Sequence, residues 1–414
     1  MQTAESLFGD MFSSKAESLP SRAQARWSNS EFSPVVECID QAIREGATPG
    51  AVLLVAQGGS VLLHEAFGAR TPRSAKYPDP QPMNVDTVFD IAAVTGSVIT
   101  TTLAMKLVEA GMFSLGDKVC RYAQSFGVLG KSGITLGQLL NQSSSLPAWL
   151  PFFEELLKEN AGARRGIITS RGAREYVFQA INRLQVKSTA IGTRQVYSDL
   201  GMMLMGQLVE QLTGVGLEKA AHRLIFQPLG MKSTSFVDLS MIKRRGIHPV
   251  TDLIAPTEDC PWRERLLCGE VHDDNAWAMG GIAGHSGIFS TAHDLHLVCR
   301  ELLRSVRGES EFLEAPIVRE FWKGAGDYAE GWRYGWDSPS RENGMIEIGF
   351  SNHAVGHNGF TGCSVWLDPA QDLEVILLSN RVCPSRNNKK FLPVRPALHE
   401  RILGALRKGA VHVG

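Results

Sequence analysis

The sequence predicts an α+β fold: one antiparallel sheet built from segments near both ends of the chain, with a mainly helical lobe inserted between them. Three observations carry this. AVLLVA and VLLHEAFG flank QGGS near the start, a hairpin pattern with glycine in the turn. The middle of the chain repeats apolar residues at helical spacing, and the C-terminal third returns to strands in GCSVWLDPAQDLEVILLSN. Strands at both ends with helices between place the functional cleft between the two lobes.

Taken in order, residues 1–32 read as a polar leader, and 33–410 as a single domain. Within it an α/β lobe covers about 33–90 and 285–410, and a helical lobe about 91–284. The first helix spans about Ser33 to Glu45, with Val35, Val36, Ile39 and Ile43 on one face, and stops at Gly46. After the hairpin, TGSVITTTLAMKLVEAG places Ile99, Leu103, Leu107 and Val108 at helical spacing before Gly111. ITLGQLLNQ and YSDLGMMLMGQLVEQLTG read as further buried helices. GIFSTA, RYGWD and the pair turning at Asp368 to Asp372 read as strands, and RPALHERILGALRKG as a closing helix.

Composition excludes several function classes. A chain of 414 residues, 43% hydrophobic and 21% charged, is neither disordered nor fibrous. Its net charge of −1 leaves no footprint for nucleic acid or an anionic membrane, so Arg164-Arg165 and Lys243-Arg244-Arg245 read as solvated surface. The first twenty residues lack the apolar run of a signal peptide, and no segment reaches the roughly 18 apolar residues of a spanning helix, so a cytoplasmic location is expected. Seven scattered cysteines without CxxC spacing suit reduced, packed thiols.

Two motifs then carry a resemblance. Tyr197-Ser198-Asp199 precedes a buried helix, and His357-Asn358-Gly359 opens GHNGFTG before a strand. With LVEAGMFSLGDKV and GGIAGHSGIFSTAHDL, the chain resembles the serine β-lactamase and penicillin-binding-protein-like superfamily, in its class C β-lactamase and esterase branch, over nearly all of 33–410. The resemblance implies a β-lactamase/transpeptidase-like fold and a cleft lined by Tyr197, Asp199, His357, Asn358 and Gly359. It also implies that Tyr197 relays a proton, and that backbone N–H groups of Ala93 and near Gly362 form an oxyanion hole.

The first element of that family, S-x-x-K at the start of a helix, is where this chain departs. FDIAAVTGSVITT places Ala93 and Gly96 at the positions of the nucleophilic serine and the lysine one turn later. A methyl group cannot be acylated, and glycine cannot accept a proton. The NQSSSLP loop departs too, with Gln142 and Ser145 where relatives often have histidine and glycine.

Substitutes are poor on sequence grounds. Ser97 sits about 6 Å further along the helix axis, where a hydroxyl bonded back to the helix is expected, and Thr95 faces elsewhere. Ser240-Met241-Ile242-Lys243 lacks a buried helix and reads as a chance match. SFGVLGKS lacks the first glycine of a phosphate loop, and GHSGI lacks the last glycine of a nucleophile elbow. EVHDDNA offers His272, Asp273 and Asp274 but no third spaced element, so a loop or cap role is expected there, with no metal and no cofactor.

The expectation is therefore a hydrolase homologue without acyl transfer that binds a small acyl or peptide-like ligand, or a protein partner. The alternative is an active esterase or amidase using a non-standard serine such as Ser97 or Ser198.

Overall fold

The computed structural model describes residues 31–162, 166–323, 331–339 and 349–411, so leader residues 1–30 and the Arg164-Arg165 pair lie outside the described residues. Helix α1, Ser33–Arg44, begins with Pro34 in its first turn, where the missing N–H costs nothing. Gly46 follows it at φ +69°. Strands β1 (Gly50–Gln57) and β2 (Ser60–Gly68) form the hairpin. Its turn needs left-handed backbone at two consecutive positions, and Gly58 (φ +59°) and Gly59 (φ +75°) supply it.

Strands β3 (Val355–Asn358), β4 (Ser364–Asp368) and β5 (Leu373–Ser379) complete a five-stranded sheet in the order β2-β1-β5-β4-β3. The pairing of β1 with β5, from Ala51 opposite Ser379 to Gln57 opposite Leu373, joins the two ends of the chain. Both faces of β1 are covered, because its apolar run is continuous rather than alternating. Ala51, Leu53 and Val55 pack toward α1 and the C-terminal helix α5 (Val394–Val411), whereas Val52, Leu54 and Ala56 join the larger core shared with the helical lobe. Helix α4 (Ala292–Arg307) packs across β1 and β5, capped by the Thr291 hydroxyl accepting from Asp294 N.

The helical lobe centres on α2 (Thr101–Glu109) and α3 (Asp199–Thr213). A three-stranded sheet of Phe89–Asp90, Ile288–Ser290 and Ser235–Phe236 ties the entry of α2 to the segment before α4. Glycines allow one close approach here: a β-carbon on Gly284 would stand 2.1 Å from Met202 O and 2.9 Å from Gly206 N on α3.

Two expectations are corrected. Thr95–Thr100, predicted as the first turns of an α-helix, are π-helical, and Thr101 Oγ1 donates to Gly96 O at 2.9 Å within the widened turn. RYGWD is not a strand: Gly335 turns the chain at φ +80°, Arg333 N bonds back to Trp336 O, and only Asp337 bridges to Gly356. All seven cysteines are free thiols.

Candidate functional site

A cleft of about 830 Å³ opens between the lobes, lined at its corner by Ala92 and Ala93. The buried Asp90 carboxylate sets this corner, with Oδ1 accepting from Ala92 N at 2.9 Å and Oδ2 from His272 N at 2.7 Å. Ala92 is thereby held at φ +48°, a conformation that a residue with a β-carbon adopts only when its surroundings fix it. Ala93 follows on the cleft wall, and its N–H has no partner among the described residues. Gly96 lies within the π-helical turn and does not reach the cleft.

Tyr197, Asp199, His357, Asn358 and Gly359 all line the cleft. Tyr197 donates its hydroxyl to Asp199 Oδ1 at 2.7 Å. Its ring centre lies 5.2 Å from that of Trp332 and 5.6 Å from that of His357, forming an aromatic wall. Burial, with the Asp199 charge beside it, raises the phenol well above its ordinary pKa, so it stays protonated. Burial likewise lowers His357 to about 4, leaving a neutral ring. Asn358 Oδ1 accepts from Trp366 Nε1 at 3.3 Å. Gly359 must be glycine, since a β-carbon there would stand 2.7 Å from Ile91 O. Near the expected oxyanion donor, the N–H of Gly362 itself is taken up by Gly359 O at 3.1 Å within the turn.

The EVHDDNA residues diverge. His272 Nε2 meets Glu258 Oε2 at 3.1 Å, and Asp274 accepts from Arg263 at 2.7 Å and Arg386 at 2.8 Å. Asp273 caps the short helix Asp274–Ala278, its Oδ1 accepting from Ala276 N at 2.7 Å. The same oxygen meets His285 Nε2 at 3.0 Å. Burial would raise Asp273, but the His285 ring beside it holds the carboxyl at about 2. Burial would lower His285, and Asp273 outweighs it, so the imidazole is raised. Asp199 is raised, chiefly by burial.

The alternative serines are not among the residues that line the cleft. Ser198 Oγ donates to Pro147 O at 2.6 Å, and Ser97 is buried within the π-helical turn. The helix hydroxyls that bond back to the backbone are Thr101 and Thr102, and none is found from Ser97 among the described residues. Thr95 Oγ1 accepts from Ile288 N, facing the small sheet. Ser240 bonds Asp238 on a short surface helix, and Lys131 of SFGVLGKS is buried, its ammonium donating to backbone carbonyls of Val128 and Asn182. Sequence reasoning missed Trp332, Ser286, the partnership of Asp273 with His285, and the arginines Arg381, Arg386 and Arg395 on the cleft wall. GHSGI was the one available signal for His285 and Ser286; the arginines carry no spacing that separates them from surface charge.

Comparison with known proteins covers most of the chain. The Beta-lactamase family model matches residues 35–394. The N-acetylmuramyl-L-alanine amidase of Bacillus subtilis is 30% identical over 383 residues, 86% of this chain and 82% of that protein. Among solved structures, EstCE1, a hydrolase with promiscuous acyltransferase activity, superposes with a TM-score of 0.66 at 20% identity, over 89% of this chain and 98% of that one. The octameric penicillin-binding protein homologue of Pyrococcus abyssi gives 0.65 at 20% identity, over 88% and 75%.

Proposed function

Because the chain belongs to the β-lactamase family of serine hydrolase folds, we propose that it keeps the family's cleft as a binding site while having lost acyl transfer. The observation that carries this reading is the methyl group of Ala93 at the cleft corner where the resemblance puts the nucleophile, with glycine at position 96 in place of the lysine. Ser97 and Ser198 are not among the residues that line the cleft, and the Ser198 hydroxyl is engaged by Pro147 O, which supports the reading. A unit of nucleophile and base that loses both members retains binding and backbone stabilisation, not turnover.

The ligand we propose is an acyl or peptide-like molecule. Tyr197, Trp332, His357 and Phe360 offer it apolar faces, while Arg381 and Arg395 suit a carboxylate at one end. The test is intact mass after incubation with a fluorophosphonate and, separately, with a penicillin, with peptide mapping of any adduct. Folded protein without an adduct is the expected result. A stoichiometric adduct would overturn the reading. If it mapped to Ser286, whose buried hydroxyl lines the cleft without a hydrogen-bond partner among the described residues, it would name the replacement nucleophile.

A further inference from the structure

The geometry points to a divalent metal site on the cleft wall, made by Asp199, Asp273 and His285, for a first-row cation such as Zn²⁺ or Mn²⁺. One ligand atom from each residue lies within 4.8 Å of the others. Metal–oxygen and metal–nitrogen bonds of about 2.0–2.2 Å put two ligands of one ion up to roughly 4 Å apart, so small side-chain adjustments close the set. Two carboxylates and one imidazole are the donors that such ions take, and the open side faces a cleft where water or a ligand carboxylate completes the coordination.

Charge singles these residues out. Of the neighbouring acids, Asp274 is neutralised by Arg263 and Arg386 and Glu258 by Arg386, while Asp90 spends its two oxygens on the backbone N–H groups of Ala92 and His272. Asp199 and Asp273 have no arginine or lysine partner among the described residues. Among the described residues only one oxygen of each is engaged, Asp199 Oδ1 by Tyr197 and Asp273 Oδ1 by Ala276 and His285.

A second observation is independent of the acids. His285 is 1% exposed and Ser286 2% exposed, both line the cleft, and His285 Nδ1 and Ser286 Oγ lack hydrogen-bond partners among the described residues. Buried polar atoms at a cleft wall without partners mark a place where a bound ion and its water complete the bonding. The three ligands also come from rigid positions: the first residue of α3, a helix cap, and the segment locked to α3 by the Gly284 contact. Ligands held in this way lose little freedom when an ion binds.

This inference goes beyond the proposed binding function and does not rest on it, since the readout is metal rather than acylation. The full chain, stripped with a chelator, is titrated calorimetrically with Zn²⁺ and with Mn²⁺, and its Co²⁺ form is examined by visible absorption. One equivalent per chain is expected. D199N and H285Q should each weaken it by at least about 100-fold, the upper end of what loss of merely supporting groups costs. E175Q, at an exposed helix position, should leave binding unchanged. Circular dichroism of the metal-free variants establishes that they are folded; should either fail to fold, the Co²⁺ spectrum of the unaltered chain decides. Absence of stoichiometric binding, retention of full affinity in either folded variant, or a Co²⁺ spectrum identical to the aqueous ion overturns the assignment.

Discussion

Replacing Gly284 by alanine tests whether the site depends on one backbone contact. The added carbon would stand 2.1 Å from Met202 O, 2.9 Å from Gly206 N and 3.0 Å from Gly206 Cα. All three are backbone atoms of α3, so no side chain can swing away. Ordinary contact needs about 3.5 Å, so the 284–286 segment must move from α3 by about 1 Å or more. Overpacking of this kind costs about 1–3 kcal/mol where side chains can yield, and the upper end applies to backbone. The same shift would carry His285 away from Asp273, now 3.0 Å distant. Urea unfolding measures the loss, with Gly404→Ala as the comparison. Gly404 lies inside α5 with nothing within 4 Å of an added carbon, so helix propensity alone should raise stability by about 0.5–1 kcal/mol. A Gly284→Ala loss under about 0.5 kcal/mol, or one no different from Gly404→Ala, would refute the steric argument.

Other predictions address chemistry, titration and capping. The double change Ala93→Ser and Gly96→Lys should restore labelling by a fluorophosphonate, because a β-carbon at 96 meets Met202 and Gly284 O only at ordinary distances of 3.4 to 3.7 Å; a folded double variant without adduct would count against the proposed loss. His357 is lowered to about 4 in the folded chain, against about 6.5 unfolded, so the unfolded state binds the extra proton between those values. Stability should therefore be fully present above pH 6.5 and fall by up to about 3 kcal/mol on descending toward pH 4. Urea midpoints of His357→Asn should flatten that window relative to the unaltered chain, and an identical slope would contradict it. Thr135→Ala removes the hydroxyl that accepts from Gln138 N in a reciprocal cap, and should cost about 1 kcal/mol in the same assay. Finally, Trp332→Ala should weaken any cleft ligand and also destabilise the fold by about 3–5 kcal/mol, because Trp332 is buried and packs against Tyr197 and His357; calorimetry with the ligand on the folded variant, beside its urea unfolding, separates the two.

Much of the scaffold was legible because periodicity and turn chemistry agree. The hairpin glycines, Gly46 after α1, Gly214 after α3 and the Asp368 to Asp372 turn each sit where the local pattern puts them. RYGWD failed because aromatic and polar alternation imitates a strand while Gly335 breaks it. The π-helical start of α2 has no periodic signature short enough to separate from an α-helix. Within the cleft, Tyr197, Asp199 and the His357 to Gly359 stretch were readable from the order of motifs. Asp273 with His285 was not, because twelve residues of loop and helix bring the pair together and no spacing rule describes that path. Glycine conformations explain the Gln142 and Ser145 loop in part: both occupy left-handed backbone at φ +62°, and Gln142 Oε1 accepts from Ser198 N to position the Tyr197 segment.

The pairing of β1 with β5 bears on how the chain acquires its structure during synthesis. Gln57 at the end of β1 bonds the backbone of Gln371, 314 residues downstream. The N-terminal hairpin thus emerges from the ribosome long before its partner exists, and must wait with its β1 edge unpaired while the helical segments between are made. Contacts so distant along the chain close late and slowly. Truncation within β5 would leave that edge permanently open, so nascent chains stalled before Leu373 should depend on holding chaperones, whereas chains released after Val411 should not.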